Sequence, residues 1–372
     1  MNLEVLGVGI TPFGAHGDIP LSELGVAAAR AALADAGFDY ATVGEVYATS
    51  SLAPPQHALA VAHRLGHTGV PVTAVESASA GGLVALREAA WAVHSGRCDV
   101  ALAIGYEKTT ALEPGGVVPR PSQVWDLVPP QASYAIQATR WIHDGDGSVE
   151  AIAAVAAKNW NHARANPDAA RRADHEVTIE EVLAARVVAT PLTRMMGHAS
   201  VDGAAAVIVA RPGTSIGAVR LLAIEQSSLV HDPEWPLDGP SVGSPRQADL
   251  VARRAYRAAD LDPESVDVVL LHDLCAIEEP LTLVELGLVA RKDVAEMALG
   301  GELAVGGALP TNTDGGCLAR GHPFSATGLA QTVEAVRQLR GRAAGRQVVG
   351  AKTALVHAAG GGGSCVVALL AR

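Results

Sequence analysis

One stretch of this chain is written twice, and that limits what it can fold into. Shifted by 223 residues, Ala32–Thr49 lies on Ala255–His272: Ala36 meets Ala259, Phe38 meets Leu261, Asp39 meets Asp262, Thr42 meets Ser265, Val43 meets Val266 and Val46 meets Val269. Further on, at a shift of 246, Ser79–Ala80–x–Gly82–Leu83 lies on Ser325–Ala326–x–Gly328–Leu329. Two matches in the same order are the mark of an internal duplication. They divide the chain into halves 1–212 and 213–372, joined near Arg211–Gly217.

The repeated unit reads as α/β. Short β-branched runs suit strands at Val5–Ile10, Glu45–Thr49, Val72–Glu76, Val100–Ile104, Ala205–Ala210, Val219–Glu225, Val266–Leu271, Lys352–Val356 and Cys365–Leu370. Apolar residues at helical spacing fill Leu21–Ala36, Leu83–Val93, Ala248–Ala259 and Leu329–Leu339. Strands alternating with helices predict parallel β-α-β units in layers. The first half carries about 95 residues that the second lacks, an inserted loop lobe over about 112–200. The spacing predicts helices there at Tyr134–Ile142, Val149–Arg164 and Ile179–Arg186. A long insertion in a compact domain is usually a lid or a binding loop. Trp125, Trp141 and Trp160 lie in it, placed either to pack a small core of the lobe's own or to cover a ligand.

Composition narrows the function class. Lys+Arg number 28 against Asp+Glu 39, for a net charge of −11. Such a surface does not suit nucleic acid or an anionic membrane, which call for basic patches. No apolar run reaches the roughly 18 residues of a membrane span, and no basic segment precedes an apolar core at the N-terminus. The expectation is a soluble, cytoplasmic protein. Cys98, Cys275, Cys317 and Cys365 form no CxxC pair, and no His, Cys and carboxylate set falls at metal-ligand spacing, so no metal is expected.

Four glycine- or histidine-bearing turns carry the chemistry: Glu76–Gly82, His272–Asp273–Leu274–Cys275, Gly321–His322–Pro323, and His357 followed by Gly360–Gly363. Glycines beside a helix N-terminus let backbone N–H groups face a developing oxyanion. Pro323 restrains His322 from helical geometry and presents its ring at the mouth of the next helix.

In their order, with the duplication and the insertion, these turns resemble the thiolase superfamily. The likeness is to the lipid-transfer-protein or sterol-carrier-protein type of acetyl-CoA acetyltransferase-like enzyme. It covers nearly the whole chain and includes Val201–Ala206 and the run from Asn312–Thr313–Asp314–Gly315–Gly316 to Ala326–Thr327–Gly328. The resemblance implies a five-layer αβαβα fold of two similar halves, whose central helices pack between two mixed sheets. Ser79 stands where the family has its reactive Cys. His272 heads the His-Asp box, His322 the Gly-His-Pro box, and His357 falls at the last box. Gly81, Gly82, Gly321, Gly360 and Gly361 are the implied oxyanion and turn glycines, with Cys317 and Cys275 as possible neighbours of the site.

The implied activity is acyl transfer that makes or breaks a C–C bond next to a CoA thioester, on a β-ketoacyl-CoA class substrate. His272 and His322 would bind the enolate oxygen, Ser79 would take or orient the acyl carbonyl, and His357 would move the proton. Coenzyme A would be substrate and product carrier, with no permanently bound cofactor. A serine hydroxyl is far less acidic than a thiol of pKa near 8.5, and Ser79 also suits a helix N-cap, so nucleophile and cap both stay open. An aldolase or retro-aldolase on a β-hydroxyacyl-CoA, which needs no thiolate, is the alternative. A catalytically degenerate acyl-CoA-binding scaffold is the second. Relatives of this branch imply a homodimer or higher oligomer and a small OB-fold, zinc-ribbon acyl-CoA-binding partner.

Overall fold

The computed structural model describes residues 1–110, 130–215, 218–230, 245–361 and 363–372. Trp125, the first part of the inserted lobe and the Ile216–Gly217 end of the junction lie outside them.

The first half runs β1 (Leu3–Ile10), α1 (Leu21–Ala36), β2 (Glu45–Thr49), α2 (His57–Leu65), β3 (Val72–Val75), α3 (Gly81–His94) and β4 (Val100–Lys108). The inserted lobe follows with α4 (Pro130–His143), α5 (Val149–Arg164), α6 (Ile179–Ala184), β5 (Val187–Ala189) and β6 (Leu192–Thr193), and the chain returns as β7 (Asp202–Ala210). The second half is β8 (Val219–Ser227), α7 (Pro245–Ala259), β9 (Val268–Leu270), α8 (Glu278–Glu285), α9 (Val294–Leu299), α10 (Gly316–Ala319), α11 (Thr327–Leu339), β10 (Thr353–Gly360) and β11 (Ser364–Ala371).

The strands lie in the order β3-β2-β4-β7-β1-β8-β11-β10-β9. From the middle outward, β1-β7-β4-β2 is answered by β8-β11-β10-β9. The sequence repeat is therefore a repeat of topology, and β2 and β9 are the aligned pair Glu45–Thr49 and Val268–Leu270. In the second half the counterpart of β3 shrinks to a single parallel bridge, Thr311 to Val269. The two half-sheets are joined where β1 pairs antiparallel with β8, through Leu3–Leu221, Glu4–Arg220 and Val5–Val219.

Five layers result. Leu24, Ala28 and Leu33 of α1 pack with Leu102, Ile104 and Ile208 on the outer face of the first half-sheet. Leu83 and Ala89 of α3 and Leu329 and Val333 of α11 fill the middle with Val5, Val207, Val356 and Val366. Val251 and Ala255 of α7 cover the outer face of the second half-sheet with Leu355, Val367 and Leu369. Strand alternation sends successive side chains to opposite faces, so Val356 and Ala358 face the central helices while Leu355 faces α7.

The two central helices meet where the repeat places a glycine on each. A Cβ on Gly82 would stand 2.6 Å from Ser325 O, and one on Gly328 would stand 2.7 Å from Leu83 Cγ. Any side chain there would push the helices apart. The turns leading into them also match: Ala78 and Phe324, each just before the aligned serines, both have positive φ, 45° and 21°.

The lobe does not keep a core of its own. Ile152 and Val155 of α5 and Trp141 of α4 bury in the same cluster as α7, α8 and the outer face of the second half-sheet. Trp160 packs at its edge and donates its indole N–H to Met195 O at 3.0 Å. The expectation of a separate small core is thereby corrected. The lobe is roofed onto the second half, which holds α5 beside the turn after β9.

Candidate active site

The site forms where β9, the turn into α3 and the turn into α11 end together. Asn312 shapes the first of these. Its φ of 51° is one that Asn tolerates, and its side-chain oxygen accepts the Leu271 N–H at 2.7 Å while its amide donates to Glu279 at 2.9 Å. This clamp ends β9 and delivers His272 to the inner side. Asp273 accepts the Cys317 N–H at 2.7 Å and the Asn159 amide at 3.0 Å, tying the His272 turn to α10 and to the lobe. Burial and the nearby Glu279 raise the Asp273 carboxyl well above the ordinary carboxylate range.

His322 enters from the other side. Gly321 has φ 114°, and a Cβ there would strike Val201 at 2.7 Å, so this position needs glycine. The His322 N–H donates to Ala199 O at 3.0 Å, fixing the turn to the returning lobe segment. The His322 ring lies 5.0 Å from that of His272, centroid to centroid. His322 Nδ1 is 2.8 Å from Thr327 Oγ1, and Nε2 is 3.1 Å from Ser79 Oγ.

Ser79 is not the cap of α3. No side chain caps that helix, which begins at Gly81, and the hydroxyl that a cap would use faces His322 instead. This removes the cap and leaves, of the roles open from the sequence, a hydroxyl that takes or orients the acyl carbonyl. Gly81 and Gly82 are both buried at the start of α3, and a Cβ on Gly81 would stand 2.4 Å from Thr49 Oγ1. They allow close packing of the helix. Gly360 does touch the turn, since a Cβ there would lie 2.5 Å from Ser77 O. Gly361 is exposed at the hairpin tip.

His357 lies within β10. It pairs across the ladder with Val367 and so shares the outer face of the sheet with Leu355 and Val367, whereas Ala358 faces the central helices. Its ring is buried, with neither nitrogen hydrogen-bonded, and burial lowers it to about 4. It nonetheless lies close enough to His272 for its charge to lower that ring, and so borders the cluster from β10. Cys275 is buried and donates its N–H to Glu278 at 3.1 Å; burial raises its thiol, and it lines a cavity outside the cluster.

Two members of the cluster come from outside the predicted set or its inner rank. His198, at the end of the lobe, sets its ring 5.5 Å from His322, and burial lowers it to about 4. Cys317 joins His272 and His322 so closely that the donor atoms of all three lie within 4.8 Å of one another, the one such group of potential metal ligands among the described residues. Burial foremost, and then the neighbouring imidazoles, push His272 and His322 well below 6.5. Both rings are therefore neutral at physiological pH. Two neutral imidazoles and a hydroxyl, shielded from water, can polarise a carbonyl oxygen and stabilise the anion that forms on it.

A cavity of about 640 Å³ lies beside this cluster, lined by His198, Leu274 and Cys275 and by Arg171, Arg186 and Arg194. No helix among the described residues is long and apolar enough to cross a membrane.

Residues 5–212 match the N-terminal domain of thiolase, and residues 240–372 match the thiolase C-terminal domain-like family. The chain is 33% identical to an acetyl-CoA acetyltransferase of Methanothermobacter thermautotrophicus, over 100% of both chains. It is 33% identical to sterol carrier protein 2 of Homo sapiens, over 98% of this chain and 71% of the human one. Its fold is similar to that of the Ltp2-ChsH2(DUF35) aldolase, with a TM-score of 0.85 at 23% identity over 100% of this chain and 98% of that one. The chain belongs to the thiolase family.

Proposed function

We propose that this protein is an acyl-CoA acyltransferase that makes or breaks the C–C bond next to a CoA thioester, on substrates of the β-ketoacyl-CoA class, with Ser79 as nucleophile. The observation that carries this is the 3.1 Å contact between Ser79 Oγ and His322 Nε2, with His322 Nδ1 held by Thr327. A nucleophile within reach of a base that a third group orients is the recurrent arrangement for covalent catalysis. In the cleavage direction Ser79 passes its proton to His322 and attacks the keto carbon. The C–C bond breaks toward the thioester, and the enolate oxygen lies against the His272 N–H. CoA then takes the acyl group from Ser79. The arginines of the cavity wall suit the CoA phosphates, which an otherwise acidic surface would repel.

One observation favours a second reading. His322 is a weakened base, and retro-aldol cleavage of a β-hydroxyacyl-CoA needs no serine alkoxide. A panel of β-ketoacyl-CoA with CoA, and of β-hydroxyacyl-CoA alone, separates the readings. Shortened acyl-CoA with acetyl-CoA or propionyl-CoA is expected from the first set. Free aldehyde from the second set, with nothing from the first, would replace the proposal by the aldolase. Silence with both, despite CoA binding, would leave a scaffold.

The assembly is proposed as a homodimer through β3, an edge strand whose Thr73 and Ala74 are exposed and so offer an unpaired ladder. The aldolase named above pairs Ltp2 with ChsH2(DUF35), and a small DUF35-type protein is the corresponding partner proposed here. Light scattering of the purified chain should give twice 38.0 kDa; a monomer mass contradicts the dimer. Copurification from the native host should add a small second band.

A further inference from the structure

We propose that Asn159, on helix α5 of the inserted lobe, is the positioning residue of the His272 turn: its amide joins Asp273 to Glu279 and so sets the place of the His272 ring against His322. The inference rests on the C–C bond chemistry proposed above and adds to it a buried side chain that acts through its neighbours.

The argument starts from how His272 is held. Neither nitrogen of its buried ring has a hydrogen-bond partner among the described residues. His322, by contrast, has Thr327 at Nδ1. No side-chain bond fixes the His272 ring, so its place follows from the turn that carries it. Its spacing of 5.0 Å from the His322 ring is therefore set by whatever holds Leu271 and Asp273.

Helix α5 meets that turn with polar groups where alanine would fill the space. Lys158, Asn159 and His162 share one face of the helix, and Asn166 lies just after it. Lys158 Nζ donates to Thr311 O at 2.7 Å and pairs with Glu279 at 2.7 Å. His162 Nε2 accepts the Val305 N–H at 3.2 Å, which leaves Nδ1 to donate to Asn312 O at 2.9 Å. Asn166 donates to Asp314 O at 2.9 Å. Burying such groups costs free energy unless each is paired, and here each is paired to the 305–314 segment or to α8. Hydrogen bonds are directional where apolar contact is not, so the stripe fixes the register of the segment against the helix.

Asn159 stands in the middle of this stripe and is 0% exposed. Its Nδ2 donates to Asp273 Oδ2 at 3.0 Å and to Glu279 Oε2 at 3.1 Å. Both partners are carboxylate oxygens, so the atom between them is the amide nitrogen with its two protons. Each carboxylate then reaches the turn. Asp273 follows His272 directly, and its Oδ1 accepts the Cys317 N–H at 2.7 Å. Glu279 Oε2 accepts the Asn312 amide at 2.9 Å, and the Asn312 oxygen takes the Leu271 N–H at 2.7 Å. The residues on either side of His272 are thus held by two lines of hydrogen bonds that meet at Asn159. Without its amide, Asp273 Oδ2 has no donor among the described residues, and the two buried carboxylates lose the proton donor they share.

The test separates positioning from binding and from folding. With β-ketoacyl-CoA and CoA as substrates, Asn159→Ala should lower kcat by about 10²-fold, the cost of a catalytic group displaced by about 1 Å, with KM and CoA affinity within about threefold of wild type. Asn159→Ser, whose hydroxyl can serve one of the two carboxylates, should fall between wild type and Asn159→Ala. It carries the test alone if the alanine variant does not fold. Asn161→Ala is the control, because it lies on the same helix and breaks only hydrogen bonds to Val177, at 2.9 Å each, that stay within the lobe. Its kcat should stay near that of wild type. An Asn159→Ala variant (or, in its place, Asn159→Ser) at full kcat, or an Asn161→Ala variant that loses as much, overturns this inference while the wild-type activity stands. A wild type that cleaves no substrate of the class overturns the proposed function, and this inference falls with it.

Discussion

Ser79→Ala is expected to lower cleavage of a β-ketoacyl-CoA by at least about 10³-fold, because nucleophile and base act as a unit and the loss of either removes most of its effect. The variant should fold and bind CoA normally: Ser79 is half-buried, caps nothing, and has His322 as its side-chain partner. Ser79→Cys should do the opposite. A thiol of pKa near 8.5 ionises where a hydroxyl does not, and the thioester it forms passes its acyl group to CoA more readily than an ester does. Thiolysis should rise sharply, and iodoacetamide should abolish the gain. Rates for wild type, Ser79→Ala and Ser79→Cys, measured under saturating CoA, check all three. A Ser79→Ala enzyme at full rate removes the covalent reading.

His322→Ala should be as damaging by a different route. It removes the partner of Ser79 and, once Nε2 has taken the Ser79 proton, a ring N–H donor to the charge that develops on the attacked carbonyl oxygen. The loss of one such donor alone costs about 10²–10³-fold in kcat, or about 2.7–4 kcal/mol, and loss of the base adds to it. The double variant Ser79→Ala/His322→Ala should be little worse than the poorer single one. A pair of losses that simply multiply would mean that the two side chains act separately. Because burial keeps His322 neutral above pH 6.5, its role as base should hold without change across pH 7 to 8.

Much of this molecule could be read from its residues, and where reading stopped has physical causes. The duplication was visible because the unit's geometry constrains the same places twice: Asp39 and Asp262 before the turn into β2 and β9, Gly82 and Gly328 at the helix crossing. Helix α5 was legible end to end, since Ser148 caps it and alanine at helical spacing fills its buried face. Strand β9 came out shorter than Val266–Leu271 because Asn312, some forty residues away, takes the Leu271 N–H that a ladder would have used.

The site was legible only in outline. Ser79, His272 and His322 stand in turns with recognisable neighbours. Cys317 is 45 residues from His272 along the chain and five from His322, and no local spacing brings its sulfur between them; the Asp273 hydrogen bond does so. His198 comes from the lobe, where nothing nearby marks it. The strand face that His357 takes had a signal in plain sight. Val356 and Ala358 are apolar and small on one parity of β10, and the parity of His357 is that of Leu355. The lobe's tryptophans were ambiguous because an apolar face does not announce which neighbour it will bury against.

The account turns on a covalent bond to Ser79, and intact-protein mass spectrometry tests it most directly. Protein mixed with a β-ketoacyl-CoA in the absence of free CoA, then quenched in acid, should gain the mass of one acyl group. Digestion should place that group on the peptide containing Ser79, and CoA added before the quench should remove it; Ser79→Ala should show no adduct. An enzyme that cleaves the substrate at full rate with no acyl group on Ser79 at any time point would contradict the account.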